Sequence, residues 1–174
     1  MAINTSGGGA ATNRNGLRFE QETSLKDALK DAGFVVADHE VYRKGEEDPI
    51  AILASKKKLY KRILEPRGID WEDIISKQLL PDEALYVYET NTVYIIEKKF
   101  QHDRGSVDEK LQTCDFKRKQ YKKLFKSIGA KVEYLYVCNS WFRRPEYRDV
   151  YKYIEDSKCH IFFDEIPLYF LDLG

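Results

Sequence analysis

A chain of 174 residues suits one domain around a single core and is short for two. An apolar share of 43% and a charged share of 33% speak against both disorder and membrane insertion. Lysine plus arginine equals aspartate plus glutamate at 29 each, so overall charge gives no vote for a nucleic-acid partner, and any such case must come from where the charges sit. No apolar run approaches the roughly 18 residues of a membrane span, and the N-terminus lacks the basic-then-apolar layout of a secretory signal; a soluble, cytoplasmic protein is expected. Cys114, Cys138 and Cys159 are odd in number and widely spaced, which predicts reduced, buried thiols rather than a disulfide or zinc framework.

In chain order, residues 1–16, with Gly7-Gly8-Gly9, have no periodicity and read as a flexible arm, leaving 17–174 as one domain. Leu17, Leu25, Ala28, Leu29 and Ala32 share a helical spacing that predicts a helix over 17–32, stopped by Gly33. A strand is expected over 34–42. A basic helix is expected over 55–64, carrying Lys56, Lys57, Lys58, Lys61 and Arg62, before Pro66 and Gly68 break the chain. Residues 84–89 and 93–100, rich in Tyr, Val and Ile and separated by Thr90-Asn91, predict a β-hairpin. A long amphipathic helix over 106–127 follows from the stripe Val107, Leu111, Cys114, Tyr121, Leu124 and Phe125, with Ser106 and Glu109 as a capping box and Gly129 as a stop. A strand over 131–138, a helix over 145–157 and a short strand over 160–163 complete the order. The implied class is α/β, a mixed central sheet flanked by helices, with strand order undetermined.

The chemistry concentrates in the hairpin. Pro81-Asp82 is followed, after fourteen residues, by Glu97-Lys98-Lys99. Residues two apart on a strand face the same way, so Glu97, Lys99 and Gln101 share a face opposite Ile96, Lys98 and Phe100. A carboxylate and an ammonium at the end of the run Val93-Tyr94-Ile95-Ile96 are costly unless partnered, and chemistry would explain that cost. A plainer reading makes Asp82 a turn aspartate after a proline and Glu97 and Lys99 the solvated end of an edge strand.

The proline, aspartate, E-x-K triplet and hairpin together resemble the PD-(D/E)XK nucleases, and a restriction-endonuclease-like core is the fold this implies. Two carboxylates suit magnesium, which takes oxygen ligands and keeps several waters. The resemblance implies Asp82, Glu97 and the Lys98 backbone carbonyl as ligands for Mg2+, with Mn2+ as a substitute. It makes Lys99 the group that orients or deprotonates the attacking water and stabilises the phosphorus charge. By the same resemblance Glu20, in Asn15-Gly16-Leu17-Arg18-Phe19-Glu20, is an auxiliary ligand or water-holder on the first helix, unless it only complements the helix dipole. Gln101 with Gly105-Ser106 and Glu109-Lys110 looks like the E-x-K-x-Q, G-S, E-K stretch of some restriction enzymes beside the scissile phosphate. Ser106 and Lys110 are thus candidate DNA contacts, although the capping box already explains Ser106.

For DNA, the 56–62 cluster and Lys117, Arg118, Lys119, Lys122, Lys123 and Lys126 on the long helix are basic islands, or merely solvated surface. Asn139, Arg143 and Arg144, after a strand end, carry the side chains suited to adenine and guanine edges, while Trp141 and Phe142 are equally core candidates. His39, His102 and His160 form no metal cluster in sequence. The reading is a magnesium-dependent endonuclease for double-stranded DNA, most like a small type II restriction enzyme, acting as a homodimer or with a second subunit. Repair, resolvase and homing nucleases of the same fold stand beside it. A non-catalytic DNA-binding or assembly module, and a chance Pro-Asp and E-x-K in an unrelated α/β protein, are the rivals from other classes.

Overall fold

The structure, a computed structural model, describes residues 15–174. The expected N-terminal arm falls almost wholly outside them. Strand β1, Gly16–Arg18, opens the described chain, and α1, Leu25–Asp31, follows. The helix expected over 17–32 therefore starts late. Ser24 caps it, its Oγ accepting from the Asp27 N–H at 3.1 Å, while Leu17 is buried from a strand instead. The apolar spacing ran across two elements.

The strand expected over 34–42 is a hairpin of β2, Val35–Ala37, and β3, Glu40–Tyr42, turning at Asp38 with φ 54°. Aspartate tolerates that left-handed conformation better than most residues. Strand β4, Ala51–Ala54, was not expected. The basic helix lies just beyond it, as a π-helical turn over Tyr60–Leu64 tightened into a 3-10 turn over Glu65–Arg67. The hairpin is present as β5, Glu83–Val87, and β6, Thr92–Lys99.

The long helix expected over 106–127 is interrupted. Helix α2, Val107–Lys110, gives way to a 3-10 turn over Leu111–Thr113 before α3, Cys114–Phe125. Local competition accompanies the break: the Lys110 carbonyl accepts from Thr113 Oγ1 at 3.0 Å and from the Tyr136 hydroxyl at 3.1 Å. Then come β7, Lys131–Cys138, a 3-10 turn over Pro145–Tyr147, α4, Arg148–Asp156, and β8, His160–Phe163. The last strand, β9, Glu165–Pro167, pairs with β1 as a separate ribbon.

The main sheet runs β2-β3-β4-β5-β6-β7-β8, antiparallel as far as β6 and parallel across β6, β7 and β8. It is a mixed sheet flanked by helices. One face packs Val93, Ile95 and Tyr134 against Leu111, Tyr121 and Phe125. The other packs Tyr94, Ile96 and Leu135 against Leu25, Leu29 and the β1/β9 ribbon. Because both faces of β6 are covered, its residues from Thr92 to Glu97 are all buried, which explains a near-continuous apolar run rather than an alternating one. The three cysteines are free and buried. Among the described residues no helix is long and apolar enough to cross a membrane.

Near the start of β7, Glu133 accepts from Lys131 Nζ at 2.7 Å and pairs with His160 Nε2 at 3.0 Å. The His160 hydrogen bond, with the Lys131 contact, outweighs burial and pulls the Glu133 carboxyl down to about 2 from 4.5. A depressed carboxyl stabilises the fold above its unfolded pKa and loses that contribution as pH falls through the folded one. Since Lys131 is exposed, ~1–2 kcal/mol is the expected size. Urea melts between pH 5 and pH 2 should show that loss in the wild type and a flatter profile in Glu133→Gln; parallel profiles would refute the assignment.

Candidate active site

The topology sends several chain segments to one edge of the sheet. The parallel strands β6, β7 and β8 end there, β5 begins there and β4 ends there. Ligands of α/β sheets characteristically bind outside such carboxyl ends. The β5/β6 ladder pairs Glu83 with Ile96, and one step further along that register sets Asp82 opposite Glu97. The β4/β5 ladder pairs Ala54 with Ala84, and its continuation sets Lys56 opposite Asp82. Glu97 in turn pairs with Tyr136 of β7. Lys56, Asp82, Glu97 and Tyr136 thus form one rung across four chain segments.

Asp82, Glu97 and Lys99 converge. Lys99 Nζ donates to Glu97 Oε2 at 3.3 Å and stands 3.9 Å from Asp82 Oδ2. Asp82 Oδ2 also accepts the Lys98 backbone N–H at 3.0 Å, which fixes the carboxylate against the strand end, and Oδ1 accepts from Lys56 Nζ. Electrostatics separate the two acids. Burial raises the Asp82 carboxyl, but the Lys56 hydrogen bond, the Lys98 N–H and the Lys99 charge together hold it below the ordinary range. For Glu97, only 6% exposed, burial wins: with the Asp82 charge it lifts the carboxyl above its ordinary value despite Lys99 and Lys117. The two neighbouring carboxyls are thus shifted in opposite directions.

Lys98 points the other way. Its Nζ donates to the Thr23 carbonyl at 2.9 Å and lies 3.9 Å from buried Glu83, so its side chain belongs to the scaffold on the α1 face. Gln101, two residues beyond Lys99, is buried, with Oε1 lacking a protein partner among the described residues. Its backbone is clamped by Asn139, whose Oδ1 accepts the Gln101 N–H at 3.2 Å and whose Nδ2 donates to the Gln101 carbonyl at 2.7 Å. Both ends of the Asn139 amide are therefore engaged with the Gln101 backbone. Ser106 and Lys110 are exposed, just before and at the end of α2. The Tyr136 hydroxyl ties the Lys110 carbonyl to the rung that holds Glu97.

The remaining expected residues lie outside this cluster. Glu20 is exposed in the turn between β1 and α1, not on a helix, and its N–H donates to Thr23 Oγ1 at 3.1 Å. Arg143 lies 4.5 Å over the Phe163 ring and Arg144 3.6 Å over Trp141, so both exposed guanidinium groups are stacked, and Phe142 is core. His102 is an exposed loop residue.

Sequence reasoning assigned no active-site role to Lys56, Glu83 or Lys117. The run Ala51-Ile52-Leu53-Ala54 was the available signal for Lys56: read as a strand antiparallel to β5, it delivers Lys56 to Asp82. Lys117, half-buried on α3, is near enough to lower Glu97, where the helical wheel had assigned it to the basic outer face.

A divalent cation fits this donor set. Two convergent carboxylates, one buried and one partly buried, supply hard oxygen donors, and magnesium needs only one or two carboxylates beside water and phosphate oxygens. Among the described residues no group of three or more acidic, histidine or cysteine side chains assembles.

A family model described as a PD-(D/E)XK nuclease superfamily domain matches residues 12–121, a span that includes Lys56, Asp82, Glu97, Lys99 and Gln101. Comparisons with curated proteins and with solved structures give no match.

Proposed function

Because this chain belongs to the PD-(D/E)XK nuclease superfamily, we propose that it is a Mg2+-dependent endodeoxyribonuclease that hydrolyses phosphodiester bonds of double-stranded DNA in the cytoplasm, as a type II restriction enzyme. The observation that carries the reading is the convergence of Asp82 and Glu97 on Lys99, at 3.9 and 3.3 Å. A cation held by the two carboxylates, with the Lys98 carbonyl as a further oxygen donor, would supply positive charge against the phosphate oxygens. Lys99, on a rigid strand, orients the attacking water and donates to the developing phosphorane charge. Gln101 offers a buried acceptor beside that water. Ser106 and Lys110 bear on the neighbouring phosphate, and Arg143 and Arg144 contact the duplex beyond the site.

A single catalytic domain holds one hydrolytic site, so cutting both strands calls for two copies related by a two-fold axis, which matches a palindromic target. Purified protein incubated with plasmid DNA and Mg2+ should give discrete fragments, with Mn2+ substituting and chelator stopping the reaction. Intact plasmid with both metals across DNAs of varied sequence would reject the proposal.

A further inference from the structure

Lys56 is the member of the rung that the nuclease reading leaves without a task. Its place is over-determined. The Lys56 N–H donates to the Pro81 carbonyl at 2.8 Å, pinning the end of β4 to the residue before Asp82. The backbone there has φ 51°, a left-handed conformation where glycine is the default and a lysine is strained. That geometry aims the ammonium at Asp82 Oδ1, the oxygen opposite the one held by the Lys98 N–H.

The charge balance gives the arrangement a meaning. Without a cation, two carboxylates face two ammonium groups, Lys56 and Lys99. A divalent ion between the carboxylates would meet these ammonium groups, and at Asp82 Oδ1 the ion and the Lys56 ammonium compete for the same oxygen. Lys99 is 14% exposed at the end of the central strand and is held by Glu97 as well as by Asp82. Lys56 is 53% exposed on a turn and can swing out.

Resting on the reading of Asp82 as a metal ligand, we propose that Lys56 is a built-in competitor for the divalent cation. It occupies Asp82 Oδ1 in the metal-free protein, keeps the carboxylate in ligand orientation, and sets the cation concentration at which the site loads. A charge-assisted hydrogen bond must be given up for each ion bound, so metal binds more weakly than the bare carboxylate pair would allow.

The test is a titration of the full chain with Mn2+ in the absence of DNA, following free Mn2+ by electron paramagnetic resonance. Lys56→Met keeps the length of the side chain and removes the charge. Lys56→Gly removes the charge while relieving the strained backbone, so a folding defect cannot account for a result common to both. Both should bind Mn2+ about tenfold more tightly than wild type, and Lys58→Met, on the neighbouring exposed turn, should bind as wild type does. Equal or weaker binding by the two Lys56 variants, with binding still lost in Asp82→Asn, overturns the competitor role and leaves the metal-ligand reading intact. Mn2+ binding by Asp82→Asn at wild-type affinity, or no binding by wild type and the Lys56 variants alike, overturns both.

Discussion

Glu97→Gln is expected to reduce DNA cleavage by ~10³-fold or more while leaving the fold as stable as wild type to within about 1 kcal/mol. The activity loss follows from removing one of two carboxylates that would hold the cation. The stability result follows from where Glu97 sits: 6% exposed, on the strand that also buries Ile95 and Ile96, with burial and Asp82 already disfavouring its charged form. A neutral isostere removes a buried charge, and Lys99 keeps Asp82 within 3.9 Å as its counter-charge. Lys99→Met should lose cleavage to a similar degree but also lose stability, because the buried Glu97 is left beside Asp82 without its nearest cation. Single-turnover cleavage and urea melts on the same preparations separate the two effects. A Glu97→Gln enzyme cutting within tenfold of wild type would sink the metal-ligand role of Glu97. A strongly destabilised one would sink the claim that the charge is held there at the expense of the fold.

How much of this was legible in the sequence depended on how far each feature reached along the chain. Strands β7 and β8 were read with their observed ends, because eight-residue alternation and a short apolar run bounded by polar residues are local signals. The shared face of Glu97 and Lys99 was likewise a two-residue matter. Asp82 needed the hairpin, whose turn the sequence marked at Asn91, with φ 47°. Beyond that range the reading failed in physical ways. Leu17 was assigned to a helix because apolar spacing cannot tell a strand followed by a capped helix from one longer helix, although Ser24-x-x-Asp27 marked the true start. Strand β4 is four residues of Ala, Ile and Leu, too short for periodicity to separate strand from helix. Without β4 there was no route from Lys56 to Asp82, 26 positions later. The break at 111–113 is accompanied by a hydrogen bond from Tyr136, which no local window contains.

The second large effect lies on the opposite face of the same hairpin. Glu83 follows Asp82, so its side chain points away from the site, toward α1. It is 7% exposed, and its Oε1 accepts the Leu25 N–H at 3.0 Å, taking up one of the orphan donors of the first helical turn. Lys98 Nζ stands 3.9 Å from the same oxygen and donates to the Thr23 carbonyl. Glu83→Ala would leave a mostly buried ammonium and a buried N–H without their acceptor. The expected loss is ~3 kcal/mol, or roughly 6–12 °C in Tm for a chain of this size. Glu83→Gln keeps an acceptor for Leu25, and since burial already raises the Glu83 carboxyl its cost should be only about 1 kcal/mol. Cleavage should weaken in Glu83→Ala even below its melting range, because Lys98 carries both sides of the hairpin: its side chain is anchored by Glu83, and its backbone N–H holds Asp82 Oδ2 at 3.0 Å. Loosening one end of that residue loosens the other. Thermal melts of the two variants beside wild type check the ranking, and an alanine variant melting within about 2 °C of wild type would show that the pair does not support the site.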